Sequence, residues 1–219
     1  MSVDSSWWAM LSSIALFVLY EVRVLWIGHR HPHRMARTAH ARMRVNWVEA
    51  LGRQAGFEIV AVQALRNSLM SATIAASTAA LALMGTISLA GSSVVHEVQQ
   101  GLESPRALLE ALLMALLFSS YVASAMAMRY FNHAGLVMSM PVASPERQAL
   151  NPMASAYVER AGLLYSWGLR FFLMVAPVVV GIVQIRVMPF MTLALIAVLA
   201  WFDRPHSGTQ WAVPSTPPV

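Results

Sequence analysis

The fold is decided by residues Phe171 to Phe202, which read FFLMVAPVVVGIVQIRVMPFMTLALIAVLAWF. This stretch is too long for a single untilted span, since roughly 20 apolar residues cross a bilayer as one helix. Near its middle, Arg186 precedes Pro189, so a charge lies beside a residue that interrupts helices. The stretch therefore predicts two short membrane spans, at about 169–185 and 188–203, joined by a tight turn. One long kinked helix is the alternative.

Three further apolar stretches lie upstream, at about 7–28, 69–90 and 108–131. Over the whole chain 58% of residues are apolar and only 11% are charged, with a mean hydropathy of +0.58. A soluble domain has roughly a quarter of its residues charged, so much of this surface must face lipid. We expect an all-α, polytopic transmembrane helix bundle of four to five spans, formed by residues 1–203 as one domain. Residues 204–219, which are rich in proline, are predicted to form a disordered cytoplasmic tail.

The distribution of arginine predicts the orientation of the bundle. Seven arginines lie between the first two spans and four lie after the third span, whereas the loop between the second and third spans contains only Arg106. Basic loops stay in the cytoplasm, so both arginine-rich segments are predicted to be cytoplasmic and the amino terminus to lie outside.

Both basic segments also have helical periodicity. From Arg34 to Gln63 the residues Met43, Trp47 and Leu51 recur at i, i+4 and i+8, and a second helix is predicted from Pro152 to Trp167. Amphipathic helices of this kind lie at the cytoplasmic interface, with arginines near anionic lipid, although they could instead pack on a partner protein. The candidate lipid-binding residues are Arg42, Arg44 and Trp47.

Two ionisable residues, Glu21 and Arg23, lie well inside a predicted span. A charge there costs about 2.5–3.5 kcal/mol on insertion scales and therefore needs a partner or water. Two residues apart, they point to different sides of the helix and do not pair with each other. Arg23 can extend to the membrane surface. Glu21 is expected to form a structural bridge to Arg66 or Arg170, and an ion or proton role is the alternative.

The sequence lacks most of the residue patterns that are typical of catalytic, metal and cofactor sites. The chain has no cysteine, and none of its seven histidines lies near the middle of a predicted span, which excludes thiolate sites and paired haem ligands. No glycine-rich phosphate loop, nucleophile elbow or plausible Ser-His-Asp set is present. We therefore expect no enzymatic activity, no cofactor and no metal, and we do not expect nucleic acid as a partner.

Three segments resemble a known family. They are IVAVQALRNSLM at residues 59–70, RYFNHA at 129–134 and YSWGLRFF at 165–172. Together they are similar to the bacterial and plant membrane family catalogued as domain of unknown function 599, over about residues 10–203. One departure is the segment from Gly181 to Pro189, where relatives often have a tryptophan and a Gly-Pro turn and this chain has Arg186 inserted.

The resemblance implies a multi-pass protein of the bacterial cytoplasmic (inner) membrane, with no established activity. It also nominates a polar cluster at the cytoplasmic helix ends, as a hydrogen-bond network or as a site for an anionic headgroup. The nominated residues are Gln63, Arg66, Asn67, Asn132, His133 and Arg170.

The functional hypothesis is a non-catalytic accessory or scaffolding subunit of a membrane protein complex, in contact with the lipid bilayer and with other subunits or further copies of itself. Ser71, Ala75 and Ala79 form a stripe of small residues that allows close helix approach. One alternative is a small oligomeric transporter or channel that uses Glu21 and the hydroxyls of the second span. Another is a protein that binds anionic lipid.

Overall fold

The computed structural model describes residues 3–30, 36–100 and 104–203, so the predicted disordered tail lies outside the described residues. The described residues form six α-helices and one short 3-10 helix, Ile185–Val187. The α-helices are α1 (Val3–Arg30), α2 (Ala36–Leu51), α3 (Glu58–Gln100), α4 (Pro105–Met138), α5 (Pro145–Val183) and α6 (Met188–Asp203). Five helical segments are long and apolar enough to cross a bilayer. They are α1, α3, α4, α5 and α6, the last together with the 3-10 helix that precedes it. The protein is an all-α, multi-pass membrane protein, as predicted.

The predicted break in the last apolar stretch is confirmed. Helix α5 ends at Val183, Gln184 is extended (φ −148°, ψ 93°), and α6 begins at Met188 after the 3-10 helix. Arg170 in α5 forms an ion pair with Asp203 at the end of α6. Because this pair joins the two helices well away from the turn, α6 runs back antiparallel to α5. The alternative of one long kinked helix is wrong.

Two Ser-Pro pairs fix the starts of α4 and α5. The Ser104 hydroxyl accepts a hydrogen bond from the Ala107 backbone N–H (3.1 Å), and the Ser144 hydroxyl accepts one from Arg147 (3.2 Å). In each case proline follows at the first helical position. A backbone N–H at this position has no partner within the helix, so proline, which lacks it, costs no hydrogen bond there. The second pair leaves only a short loop after α4, so α4 and α5 pack side by side and antiparallel.

Three of the helices are longer than a bilayer requires. Helices α3, α4 and α5 have 43, 34 and 39 residues, so even α4 is about 51 Å long. The hydrocarbon core of a bilayer is only about 30 Å thick. The shorter α6, with 16 residues, ends at Asp203, opposite Arg170. The long helices therefore extend beyond the membrane at the arginine-rich end of the bundle.

The buried residues form two separate hydrophobic clusters along these helices. One joins α2 to the arginine-rich ends of α3, α4 and α5, and includes Val48, Leu65, Phe131 and Val158. We call this part, residues 36–72 and 127–161, the head. The second cluster lies toward the opposite end, where α1, α4, α5 and α6 meet. Its members are Met10, Leu109, Leu113, Leu117, Val178 and Met188.

The predicted single helix from Arg34 to Gln63 is wrong. Helix α2 ends at Leu51 and α3 begins at Glu58. Gly56, with φ +89°, adopts a left-handed conformation that interrupts the helix, and its N–H donates to the Glu58 carboxylate at 2.8 Å. The apolar side of α2 was predicted to face lipid, but part of it contacts the rest of the protein, because Trp47 and Leu51 pack against the head core.

The second predicted interfacial helix, from Pro152 to Trp167, is not a separate element. It is part of α5, which continues through Pro152 and Pro177 without a break. Three buried residues along this segment, Ala154, Val158 and Ala161, belong to the head core. Packing against α2 and α4 therefore holds the segment in line with the span that follows it.

Candidate functional site

Arg170 is the centre of a buried charge network that joins three helices. Its Nη1 donates to Glu21 Oε1 of α1 at 2.7 Å, and its Nη2 donates to Asp203 Oδ2 of α6. The Tyr20 hydroxyl donates to the same Asp203 oxygen at 2.9 Å. The predicted bridge from Glu21 to an arginine is confirmed, with Arg170 as the partner and not Arg66. Asp203 and Tyr20 were not predicted to take part.

The network is well shielded from the surroundings. Glu21 is 8% exposed and Arg170 is 7% exposed, and Glu21 Oε2 is buried without a hydrogen-bond partner among the described residues. Two carboxylates therefore share one guanidinium in a low-dielectric setting, where an unpaired charge would be costly. The arrangement holds α1 and α6 against α5 at the level where the head begins.

The six nominated polar residues do not form a shared hydrogen-bond network. Gln63, Arg66, Asn67 and Asn132 are exposed. His133 stacks on Tyr157 instead, with ring centroids 5.7 Å apart. Within the described ranges none of the six forms a hydrogen bond or an ion pair with another of the six. Only Arg170 belongs to a buried network. Arg23, the other intramembrane candidate, is exposed, as expected for a side chain that extends to the surface.

A second buried arginine, Arg147, was not predicted from the sequence. Arg147 is 1% exposed, and its guanidinium donates to the Val137 backbone carbonyl near the end of α4. Its Nε also donates to Asn151 Oδ1 at 2.7 Å. A cation at a helix carboxyl end satisfies carbonyls that have no partner within the helix. In the sequence Arg147 is indistinguishable from the other basic residues that predict orientation.

A groove opens between α3 and α5 where the head meets the membrane-spanning part. It consists of two adjoining cavities of about 340 and 380 Å³, which share Ser71 and Tyr165. The α3 residues along it lie on one helix face. They are Ala64, Leu65, Ser68, Ser71, Ile74, Ala75 and Thr78. The stripe of small residues therefore faces a groove on the bundle surface along part of its length.

Two of the three candidate lipid-binding residues, Arg44 and Trp47, line the head end of this groove, and Arg42 does not. Arg44 also lines a polar pocket of about 170 Å³, together with His40, Glu159 and Asp203. Partial burial lowers the pKa of the Arg44 guanidinium from its ordinary value. Among the described residues Arg44 has no ion-pair or hydrogen-bond partner.

No group of three or more His, Cys, Asp or Glu residues that could hold a metal occurs in the described part of the chain. The family model described as "Protein of unknown function, DUF599" matches residues 8–207. The chain belongs to this family. The region that matches the DUF599 model contains nearly all residues of the five candidate spans. It also contains the Arg170 network and the groove. Comparisons with curated proteins and with solved structures found no match.

Proposed function

We propose that this DUF599 protein is a non-catalytic accessory subunit of a membrane protein complex, and that its head binds the partner. The observation that carries the proposal is an apolar patch at the start of α3. Ile59 is 75% exposed and Val60 is 54% exposed, and Phe57 beside them is also exposed. Ile59 lies ten residues before the predicted start of the second span at about residue 69, which is about 15 Å along the helix.

The charge of the head fits a protein interface. Residues 36–72 and 127–161 contain eight arginines and four glutamates. Four of these arginines are exposed and have no ion-pair partner among the described residues. They are Arg53, Arg66, Arg129 and Arg160. Exposed apolar side chains beside arginine are typical of protein interfaces, in which arginine is enriched. The partner surface is therefore expected to be acidic at its rim and apolar at its centre.

The arrangement of the remaining polar groups supports this proposal over a transporter. Glu21 is held by Arg170. The hydroxyls of Ser71 and Thr78 donate to carbonyls of their own helix, at 3.1 and 2.9 Å. These hydroxyls line an open groove between α3 and α5 and not an enclosed pore. A path for ions past these residues would need a further chain to close it.

Gentle detergent extraction from native membranes, followed by native mass measurement, tests the proposal. We expect the 24.0 kDa chain to extract with a stoichiometric partner of a different mass. The Arg53→Glu variant is expected to lose most of that partner, because it places a negative charge on the exposed head, four residues before Phe57.

Arg186→Glu is the matched control. Arg186 is also exposed and without an ion pair in the described structure, but it lies in the turn at the opposite end of the bundle. This variant should keep the partner. A lone monomer, a homo-oligomer, or equal loss of partner in both variants would contradict the proposed role.

The proposal includes an orientation, with the head in the cytoplasm of a bacterium and the amino terminus outside the inner membrane. The chain has no cysteine, so single cysteines can be introduced without a background signal. Ala143 lies in the loop between α4 and α5, and Gln99 lies at the other end of α3; both are exposed. In intact cells a membrane-impermeant maleimide is expected to label Gln99→Cys and to label Ala143→Cys only after permeabilisation. The reverse pattern would show the opposite orientation.

A further inference from the structure

The groove between α3 and α5 has the features of a lipid site in its shape, its walls and its charge. We propose that it binds one anionic phospholipid, with the phosphate on the Arg44 guanidinium and one acyl chain between α3 and α5. The site is separate from the exposed patch at Phe57, Ile59 and Val60, so it does not depend on a protein partner.

The walls of the groove suit an apolar occupant. Its side chains include Met43, Trp47, Phe131 and Phe172, and its serine and threonine hydroxyls already have partners. The Ser68 hydroxyl donates to Ala64 O at 3.2 Å, and Ser71 and Thr78 likewise donate to their own helix. An acyl chain therefore leaves none of these hydroxyls without a hydrogen bond.

The dimensions also fit a chain of a membrane lipid. From residue 64 to residue 78 the groove follows α3 for about 21 Å, which is more than the roughly 15 Å that one leaflet contributes to a hydrocarbon core of about 30 Å. It begins at the head and runs into the membrane-spanning part, so the phosphate end would lie at the bilayer surface. A phospholipid can enter sideways, because Ile74 and Thr78 are exposed along the groove.

Arg44 supplies the complementary charge at the right place. Arg44 lines the head end of the groove, and its guanidinium has no partner in the described structure. Asp203, which lines the polar pocket on its other side, is already paired with Arg170, while Glu159 is exposed at the rim of that pocket. A guanidinium binds phosphate oxygens through two parallel hydrogen bonds.

Gly162 in α5 positions this guanidinium. A Cβ atom built at Gly162 would overlap Nη1, Cζ and Nε of Arg44. Glycine therefore lets the guanidinium lie directly on the backbone of α5. Any side chain at this position would displace the guanidinium from this contact.

The test titrates phosphatidylglycerol into delipidated protein in detergent, with native mass spectrometry to count bound lipid. We expect one phosphatidylglycerol per chain to bind more tightly than any other, and glycerol 3-phosphate, which has no chains, not to displace it. Arg44→Gln is expected to weaken this binding about tenfold, since it removes charge-assisted hydrogen bonds. Ser71→Phe, which fills the point shared by the two cavities, should weaken it similarly.

The matched controls are Arg53→Gln, which removes an exposed head charge away from the groove, and Ser77→Phe, on another face of α3. Both should bind like the wild type. If Arg44→Gln does not fold, Gly162→Ala takes its place, because it moves the guanidinium and keeps the charge. Binding unchanged in the groove variants would overturn the proposal. So would weakening in only one of Arg44→Gln and Ser71→Phe, since the site requires both phosphate and chain.

Discussion

Replacing Arg170 by alanine is expected to destabilise the folded chain by about 3–5 kcal/mol, the cost of removing one member of a buried ion pair. The substitution leaves the buried Glu21 and the partly buried Asp203 without their shared cation. It also removes the link from α5 to α1 and α6. The measurement is thermal or denaturant unfolding of the purified protein in one detergent, compared with the wild type.

Two further variants separate the charge effect from general damage to the core. The triple variant Arg170→Met, Glu21→Gln and Asp203→Asn removes all three charges and should recover most of the lost stability. Tyr20→Phe removes a single hydrogen bond and should cost only about 1 kcal/mol. If Arg170→Ala unfolds at the same temperature as the wild type, the network does not hold the helices together.

Replacing Gly168 by leucine is expected to force α4 and α5 apart at a close contact between them. A Cβ atom at Gly168 would lie 2.5 Å from Ser124 Oγ, 3.3 Å from the Ser124 backbone nitrogen and 3.4 Å from Ser120 O. The Ser120 hydroxyl also donates to the Gly168 carbonyl at 2.9 Å, a bond that separation would break. Overpacking of this kind costs about 1–3 kcal/mol, and a lost hydrogen bond adds about 1 kcal/mol.

The comparison variant is Gly135→Leu. Gly135 is also within a long helix, but a Cβ atom there would meet nothing within 4 Å. This change should be close to neutral or slightly stabilising, because leucine has the higher helix propensity. Equal unfolding midpoints for Gly168→Leu and Gly135→Leu would show that close packing of α4 on α5 does not limit stability.

The membrane spans and their break could be predicted because they depend on local properties. Apolar length identifies a span, and a charge beside proline marks the turn between α5 and α6. The Glu21 bridge could be predicted in part, because a carboxylate at that depth requires a cation from another helix. The sequence could not decide whether Arg66 or Arg170 is the partner of Glu21, because that requires knowing which helices are neighbours.

The residues that were missed depend on contacts distant in the sequence. Asp203 is next to the predicted tail and joins the network only because α6 runs back along α5. Arg147 resembles any loop arginine until the end of α4 is placed beside it. The nominated polar residues Arg66 and Asn67 lie near the same helix end as Asn132, but no hydrogen bond joins them to it in the described structure. Spacing along one chain cannot show how helices are rotated against each other.

The central claim is that the head, and not the opposite end of the bundle, binds a partner protein. Site-specific photocrosslinking in native membranes tests this most directly, with the photoreactive residue placed either at Ile59 or at Leu89, which are both highly exposed. We expect a single crosslinked product of defined mass from position 59 and no protein product from position 89. Crosslinks from position 89 alone, or none from either position, would contradict the account.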